Sequence, residues 1–115
     1  METRTIPEEQ WIEFFDRFSK DHAGWPATIE VLEGQSGPQN LARQLPLQGI
    51  SFDTKGTRPC SIEVSAGDLA NQNVRHVVDL PLHIRQAEEP DGSIDIQIEP
   101  ARGPVTLIHL RGPVH

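Results

Sequence analysis

The sequence lacks the motifs that mark several functional classes. Its only cysteine, Cys60, cannot form a disulfide within the chain. No positively charged start precedes an apolar stretch, and no segment approaches the roughly 20 apolar residues of a membrane-spanning helix. The glycine and lysine spacing of a phosphate-binding P-loop and the dinucleotide-binding fingerprint are also missing. We therefore expect a cytoplasmic protein with no membrane span and no cofactor.

Positive charge is also scarce. Ten lysine and arginine residues are scattered singly among 17 aspartate and glutamate residues, which gives a formal net charge of −7. Binding to nucleic acid draws much of its affinity from the neutralisation of phosphates, and anionic membranes attract basic clusters in the same way. The charge therefore disfavours both as partners, whereas a protein partner or a second copy of the chain remains compatible with it.

Length and composition indicate one domain. The 115 residues provide room for a single core, and ten prolines with nine glycines favour many turns over long helices. No internal repeat, low-complexity tract or linker divides the sequence. We interpret residues 1–115 as a single domain, with a helix at about 7–22 and strands within 27–111.

One segment near the start has the spacing of an amphipathic helix. Its apolar residues recur at i, i+3, i+4 and i+7, and they are Trp11, Phe14, Phe15 and Phe18. Pro7 suits the first helical turn, and Gly24 followed by Trp25 and Pro26 supplies the stop. The two tryptophans, Trp11 and Trp25, flank the helix as expected core anchors, and either is a candidate interface aromatic.

After Pro26 the hydrophobic period changes from 3.6 to 2, which predicts strands. The alternation predicts six of them, at about residues 27–31, 41–52, 60–65, 74–84, 94–98 and 105–111, with a turn-rich stretch at 33–40. The parity of the apolar residues slips near Gly49, which predicts a bulge or a sharp bend. Pro81 interrupts a stretch in which Leu80 and Leu82 share the parity of Val78, and it predicts a kink or an edge position because proline cannot donate to a ladder.

These elements predict an α+β fold. A single helix cannot cover a flat sheet of this size on both sides, so we expect the helix to pack on a strongly bent, mostly antiparallel sheet of five to six strands. A small, partly open barrel is the alternative arrangement. An N-terminal helix leading into such a sheet resembles the Sm and SH3-like barrels, although a shared fold does not carry a function with it.

Segments spread over most of the chain, including His22–Trp25, Thr28–Leu32 and the strand with Pro81, form a pattern, and three of them are its longest. They are Ile6-Pro7-Glu8-Glu9-Gln10-Trp11, Phe14-Phe15-Asp16-Arg17-Phe18-Ser19 and Leu45-Pro46-Leu47-Gln48-Gly49-Ile50. In these segments the chain resembles a family of small bacterial proteins that constitutes a domain of unknown function. The resemblance implies a single-domain bacterial protein. It implies no activity, cofactor or catalytic residue.

The last three predicted strands bring two histidines close to carboxylates. A hairpin turn at residues 90–92 would place His83 opposite Glu99, and a turn at residues 102–103 would place Asp95 opposite His109. Two histidine–carboxylate pairs on one polar sheet face are candidate ligands for a metal ion or a polar small molecule. The simpler interpretation is two ordinary cross-strand pairs, each worth about 0.2–1 kcal/mol.

Two further residues have a functional and a structural interpretation. His76 shares the parity of Val78, so it is either a hydrogen-bonded histidine that faces the core or a general base. Cys60 shares the parity of the following strand, so it is either a small buried hydrophobe or a nucleophile activated by Arg58. No sequence signature supplies the partner that either catalytic role needs.

The sequence leaves three functions open. The first is a non-catalytic binding or accessory module that self-associates, because a small sheet with two edges offers strands to another copy. The second is a metal-binding protein, small-ligand binder or enzyme that uses the polar sheet face. The third is an RNA-binding, Sm-like protein, which the fold analogy favours and the charge opposes.

Overall fold

The computed structural model describes residues 2–33, 37–53, 60–68 and 73–112. A short 3-10 helix (Glu8–Gln10) leads into α1 (Trp11–Asp21). The strands are β1 (Glu2–Ile6), β2 (Pro26–Glu33), β3 (Gly37–Asp53), β4 (Ser61–Ala66), β5 (Val74–Asp79), β6 (Pro81–Glu88), β7 (Ile94–Pro100) and β8 (Val105–Leu110). Over the described ranges, no helix has the length and apolar character needed to cross a membrane.

The eight strands form one antiparallel sheet in the order β1-β6-β7-β8-β2-β3-β4-β5, and the sheet is not closed into a barrel. The predicted α+β class and antiparallel pairing are confirmed. The predicted number of strands, five to six, is too low for two reasons. Strand β1 contains Thr3, Arg4 and Thr5 and lacks an alternating apolar pattern, and the segment predicted as one strand at 74–84 is divided into β5 and β6.

The sheet folds back on itself. Strands β8 and β5 are separated by three strands in the sheet order, yet Nε2 of His76 on β5 lies 3.0 Å from Oγ1 of Thr106 on β8. The inward residues of both halves therefore share one core. Ile94, Ile96 and Ile98 are at most 4% exposed, and burial of such a side chain contributes roughly 1.5–3 kcal/mol.

Helix α1 is fastened to β1 by Trp11. The indole Nε1 donates a hydrogen bond to the carbonyl oxygen of Ile6 at 2.8 Å, and the ring meets Phe52 edge-on at 5.1 Å between centroids. The side chain is only 1% exposed, which places Trp11 in the core and removes it from the candidate interface residues. Phe15 and Phe18 are buried beside it, as the helical spacing predicts.

Strand β3 is long enough to belong to both halves of the sheet. It pairs with β2 near its start and with β4 near its end. A register shift between Leu47 and Gly49 confirms the predicted slip, and Gln44 has a positive φ of 49°. Part of the stretch predicted to be turn-rich at 33–40 belongs to strands, since β2 continues to Glu33 and β3 begins at Gly37, while residues 34–36 lie outside the described ranges.

Helix α1 also contacts the edge of β3 that β2 leaves free. The hydroxyl of Ser19 accepts a hydrogen bond from the amide of Ile50 and donates one to its carbonyl oxygen, both at 2.9 Å. One side chain thereby satisfies two backbone groups that a neighbouring strand would otherwise pair with. The helix thus takes the place of a strand along this part of β3.

The corner between β5 and β6 confirms the kink predicted at Pro81. Leu80 has a positive φ of 53°, and the pairing of β6 with β7 shifts between Pro81 and His83. These two irregularities turn the side chains of Leu80 and Leu82 away from the core, and the two residues are 42% and 53% exposed. The shared parity with Val78, which predicted that both leucines face the core, does not continue through the corner.

Candidate functional site

The predicted polar face on β6, β7 and β8 has the expected register. His83 lies opposite Glu99 in the β6–β7 pair, and Asp95 lies opposite His109 in the β7–β8 pair. The isoleucines of these strands face the opposite side and are buried. Both cross-strand pairings that the turn positions predicted are therefore confirmed.

The side chains of this face form two separate contacts. Nδ1 of His109 lies 2.5 Å from Oδ1 of Asp95, and Nη1 of Arg85 lies 3.1 Å from Oε2 of Glu99. Glu99 therefore contacts Arg85, whereas the structure records no hydrogen bond between Glu99 and His83. Within the described ranges, no group of three or more His, Cys, Asp and Glu residues is arranged to hold a metal ion.

A tight turn holds β6 and β7 in this register. The carboxylate of Asp91 accepts a hydrogen bond from the backbone amide of Ser93 at 2.9 Å, and Gly92 adopts a positive φ of 90°. The hydrogen bonds from the backbone and side chain of Ser93 hold the pKa of Asp91 below its usual value. Asp91 is thus a turn residue, as its position in the sequence predicts.

His76 is the hydrogen-bonded, core-facing histidine of the simpler prediction. Its hydrogen-bond partner, the hydroxyl of Thr106, belongs to a residue that is only 1% exposed. Burial lowers the pKa of His76, because a charged imidazolium is poorly solvated there. A substrate in solution cannot reach the Thr106 hydroxyl, so the pair has no accessible nucleophile.

Cys60 lies just before β4 and is half-buried. Its carbonyl oxygen accepts a hydrogen bond from the amide of Leu80 at 3.0 Å, which helps to hold the β5–β6 corner. Arg58, the cation considered as its activator, lies outside the described residues.

The sequence did not predict a groove that lies between α1 and the β1–β6 end of the sheet. We call it the helix groove. It has a volume of about 580 Å³ and is lined by Arg4, Gln10, Glu13, Phe14, Arg17, Phe18, Asp21, His22, Gln86 and Glu88. A cavity of about 500 Å³, lined in part by Thr3, Arg4, Gln86 and Glu88, continues from it. Both volumes are typical of small-molecule sites.

Two hydrogen-bonding side chains meet in the helix groove. Arg4 on β1 lies opposite Gln86 on β6, and its Nε and Nη2 atoms lie 3.4 and 3.3 Å from Oε1 of Gln86. Gln86 is only 9% exposed. Its amide nitrogen donates to no residue in the part of the chain that the structure describes, although it lines the cavity. The groove therefore contains an available donor beside a guanidinium group.

Aromatic rings form one wall of the helix groove. Phe14 stacks on Phe18 at 5.6 Å between centroids, and Phe18 lies 4.1 Å from the ring of His22. His22 is held in place because its Nδ1 donates to the carbonyl oxygen of Phe18 at 2.8 Å. Trp25 is half-buried and meets the edge of His22 at 4.6 Å. The guanidinium of Arg4 lies 5.8 Å from the Phe14 ring centroid.

The sequence contained only a weak signal for this site. Gln86 has the parity of Ile84, so it faces inward although it is polar. A polar residue at an inward position is the informative exception in a strand. The signal was missed because the predicted strand ended at Ile84 and because β1, which carries Arg4, was not predicted at all.

Comparisons with known proteins show the family. An uncharacterized protein of Aquifex aeolicus (strain VF5) is 38% identical over 55 residues, which are 48% of this chain and 50% of that protein. The chain thus spans about half the length of this curated relative. No solved structure matches the chain. The model of the family of unknown function DUF5335 matches residues 2–115, and the chain therefore belongs to that family.

Proposed function

We propose that the protein is a non-catalytic binding module whose helix groove binds a small molecule with a carboxylate and an apolar body. The observation that carries the proposal is the pair formed by Arg4 and Gln86. The side chain of Gln86 is largely buried, but its amide nitrogen is open to the cavity and has no acceptor in the described chain. Next to a guanidinium group, this donor matches the two oxygens of a carboxylate.

The surroundings of this pair support an apolar ligand body. The rings of Phe14 and Phe18 line the groove next to Arg4 and supply a flat apolar surface. The outer lining has three acidic residues, Glu13, Asp21 and Glu88, and a second arginine, Arg17. This mixed charge disfavours polyanions, because three carboxylates would repel every charge beyond the one that Arg4 and Gln86 take up.

A binding role needs no catalytic group, and the histidine of the groove has structural contacts. His22 uses Nδ1 to bind the Phe18 carbonyl oxygen, and it stacks on the Phe18 ring. A general base needs a reacting group within hydrogen-bond reach, and the groove supplies no hydroxyl or thiol next to His22 among the described residues. The groove residues thus support recognition rather than catalysis.

The test is an NMR titration of the protein with 3-phenylpropionate, with 3-phenylpropan-1-ol as the matched probe without a carboxylate. We expect the side-chain amide signals of Gln86 to shift with the acid and to stay in place with the alcohol. The variant Arg4→Met should weaken binding about tenfold, since a hydrogen bond to a charged group contributes about 1.5–3 kcal/mol. Arg102→Met, in an exposed turn, serves as the control and should bind normally.

Two results would contradict the proposal. Equal shifts with the acid and the alcohol would mean that the carboxylate is not recognised. Shifts confined to residues outside the helix groove would mean that the site lies elsewhere.

A metal or ligand site on the polar sheet face is the alternative function. The short contact between His109 and Asp95 favours it, because a metal ligand histidine is commonly oriented by a carboxylate. The test is a zinc titration of protein purified without chelator, followed by thermal unfolding. A rise in Tm that is lost in His109→Gln would support this site, whereas an unchanged Tm and no bound metal would count against it.

RNA binding and a cytoplasmic location stay predictions. The lining of the helix groove has more acidic than basic residues, which gives an RNA backbone no favourable path there. Failure of the protein to shift oligo-U or oligo-A at low salt would dismiss RNA binding.

A further inference from the structure

The sequence predicts self-association but does not indicate which surface mediates it. In the structure, the candidate surface is the edge strand β5. In the described part of the chain, β5 pairs with β4 on one side and with no strand on the other. The backbone groups along an unpaired edge are a template for another strand. Val77, in the middle of β5, is an apolar residue that is 48% exposed.

The backbone pairing indicates which residues of β5 have free groups. The amide of Leu80 donates to the carbonyl oxygen of Cys60, and the β4–β5 register continues from this pair. Hydrogen-bonded and non-hydrogen-bonded pairs alternate along an antiparallel ladder. The even-numbered residues of β5 therefore bond to β4, whereas Arg75, Val77 and Asp79 direct their amides and carbonyls to the open side.

We propose that the protein forms a two-fold dimer by antiparallel pairing of β5 with β5 of a second copy, with the symmetry axis at Val77. In this register the hydrogen-bonding groups of Val77 meet those of the partner's Val77. Arg75 lies opposite the partner's Asp79, and Asp79 lies opposite the partner's Arg75. A two-fold interface requires such self-complementarity. This inference is independent of the helix groove.

Other registers of the same strand are less favourable. Moving the axis by one residue sets Arg75 or Asp79 opposite an apolar Val77. Moving it by two residues sets Arg75 opposite Arg75 or Asp79 opposite Asp79, and like charges directly opposite each other destabilise a ladder. The charges of β5 therefore select one register among the neighbouring ones.

The surroundings of β5 are compatible with this pairing. Arg75 forms an ion pair with Glu63 on β4, but its side chain is 74% exposed. A guanidinium has five N–H donors, so Arg75 can contact Glu63 and the partner's Asp79 at the same time. At the end of the strand the proposed register brings Leu80, which is 42% exposed, next to the partner's Val74. The pairing thus covers Val77 and Leu80, two of the exposed apolar residues of the chain.

The first test is the molar mass of the full chain, measured by light scattering and by sedimentation over a wide concentration range. We expect a monomer–dimer equilibrium. Arg75→Asp and Asp79→Arg should each weaken dimerisation about tenfold or more, because each replaces two symmetric opposite-charge pairs by like-charge pairs. The double exchange Arg75→Asp with Asp79→Arg should restore the dimer. Arg43→Asp, at an exposed position in the part of β3 that pairs with β2, changes the net charge as much as Arg75→Asp does and should leave the equilibrium unchanged.

The second test fixes the register by cross-linking in a Cys60→Ser background. Val77→Cys should form a disulfide-linked dimer, because directly opposite residues in a hydrogen-bonded pair have Cα atoms about 5.5 Å apart. Arg75→Cys should not, since the two copies of residue 75 would be four residues apart along the ladder, about 13 Å. A strict monomer at every concentration, a dimer unaffected by the charge variants, or preferential cross-linking at residue 75 would each overturn the proposal.

Discussion

The two outermost strands of the sheet, β1 and β5, differ in how far other parts of the chain contact their backbone and side chains. On β1, Trp11 occupies the carbonyl oxygen of Ile6, while Arg4 contacts Gln86 and Phe14. On β5, the middle of the strand presents Val77 to solvent, and no described strand pairs with its open side. The position of a strand at an edge therefore does not determine its role. The side chains around it decide whether it becomes the wall of a ligand site or a surface for a second copy.

Strand β3 has an unpaired edge along part of its length, and there the helix supplies the hydrogen bonds. Beyond Pro46, where the pairing of β3 with β2 stops, the amide and carbonyl oxygen of Ile50 bond to the hydroxyl of Ser19 on α1. The same helix thus contacts β1 through Trp11 and β3 through Ser19. Among the described residues, α1 forms no such hydrogen bond to the third of these edges, β5, which makes β5 the edge on which an intermolecular contact is expected.

The largest effect should come from detaching β1 from the helix. We expect Trp11→Ala to lower the free energy of unfolding by about 3–5 kcal/mol, because it empties a fully enclosed site and removes the bond to Ile6. Urea unfolding followed by circular dichroism measures the change. Trp25→Ala is the matched control and should cost less, since Trp25 is half-buried. Equal losses in the two variants would mean that the indole of Trp11 is not the main connection between the helix and β1.

A smaller loss of stability should follow when the edge of β3 loses the hydrogen bonds from Ser19. Ser19→Ala leaves the amide and the carbonyl oxygen of Ile50 without the hydroxyl, and we expect a loss of about 1–3 kcal/mol in the free energy of unfolding. Ser51→Ala, at an exposed position on the same strand, should be close to neutral. Hydrogen exchange of the Ile50 amide gives a local measurement, and its protection should fall in Ser19→Ala only.

The contact between the two halves of the sheet should make stability depend on pH. Burial lowers the pKa of His76, so the unfolded chain binds this proton more readily than the folded chain does. Stability from this group is therefore complete above the ordinary histidine pKa and falls as the pH drops below it. Urea unfolding between pH 8 and pH 5 should show a steeper loss for the natural chain than for His76→Gln. Parallel pH profiles would contradict this assignment.

Among these changes, Val77→Lys should have the smallest effect on the stability of the monomer. Because the Val77 side chain is half exposed, we expect the free energy of unfolding of the monomer to change by no more than about 0.5 kcal/mol. The measurement is urea unfolding at a protein concentration below the dimerisation range. A large loss would show that Val77 supports the fold of the single chain rather than an intermolecular contact.

The parts of the fold that follow local rules could be predicted from the sequence. The alternation of Ile94, Ile96 and Ile98 indicates the inward face of β7, because a strand places successive side chains on opposite sides. The turn signal at residues 90–92 then determines which residues of β6 and β7 face each other. The spacing of the aromatic residues likewise indicates α1, because a helix brings residues three and four positions apart onto one face.

The parts that depend on contacts between distant segments could not be predicted. Strand β1 is defined by its pairing with β6, which lies about 80 residues further along the chain, and its polar residues contain no pattern of their own. The exposure of Leu80 and Leu82 follows from one left-handed residue and one register shift. The helix groove depends on both β1 and the bend of the sheet, so the candidate ligand site could not be predicted either.

The length of β3 has a consequence for how the molecule loses its structure. Its 17 residues run from one half of the sheet into the other, so neither half can melt without freeing backbone groups of the other. We expect one cooperative unit rather than two independently opening ones. Buried residues in each half, such as Val64 on β4 and Ile108 on β8, should therefore have amides that exchange with the same free energy of opening.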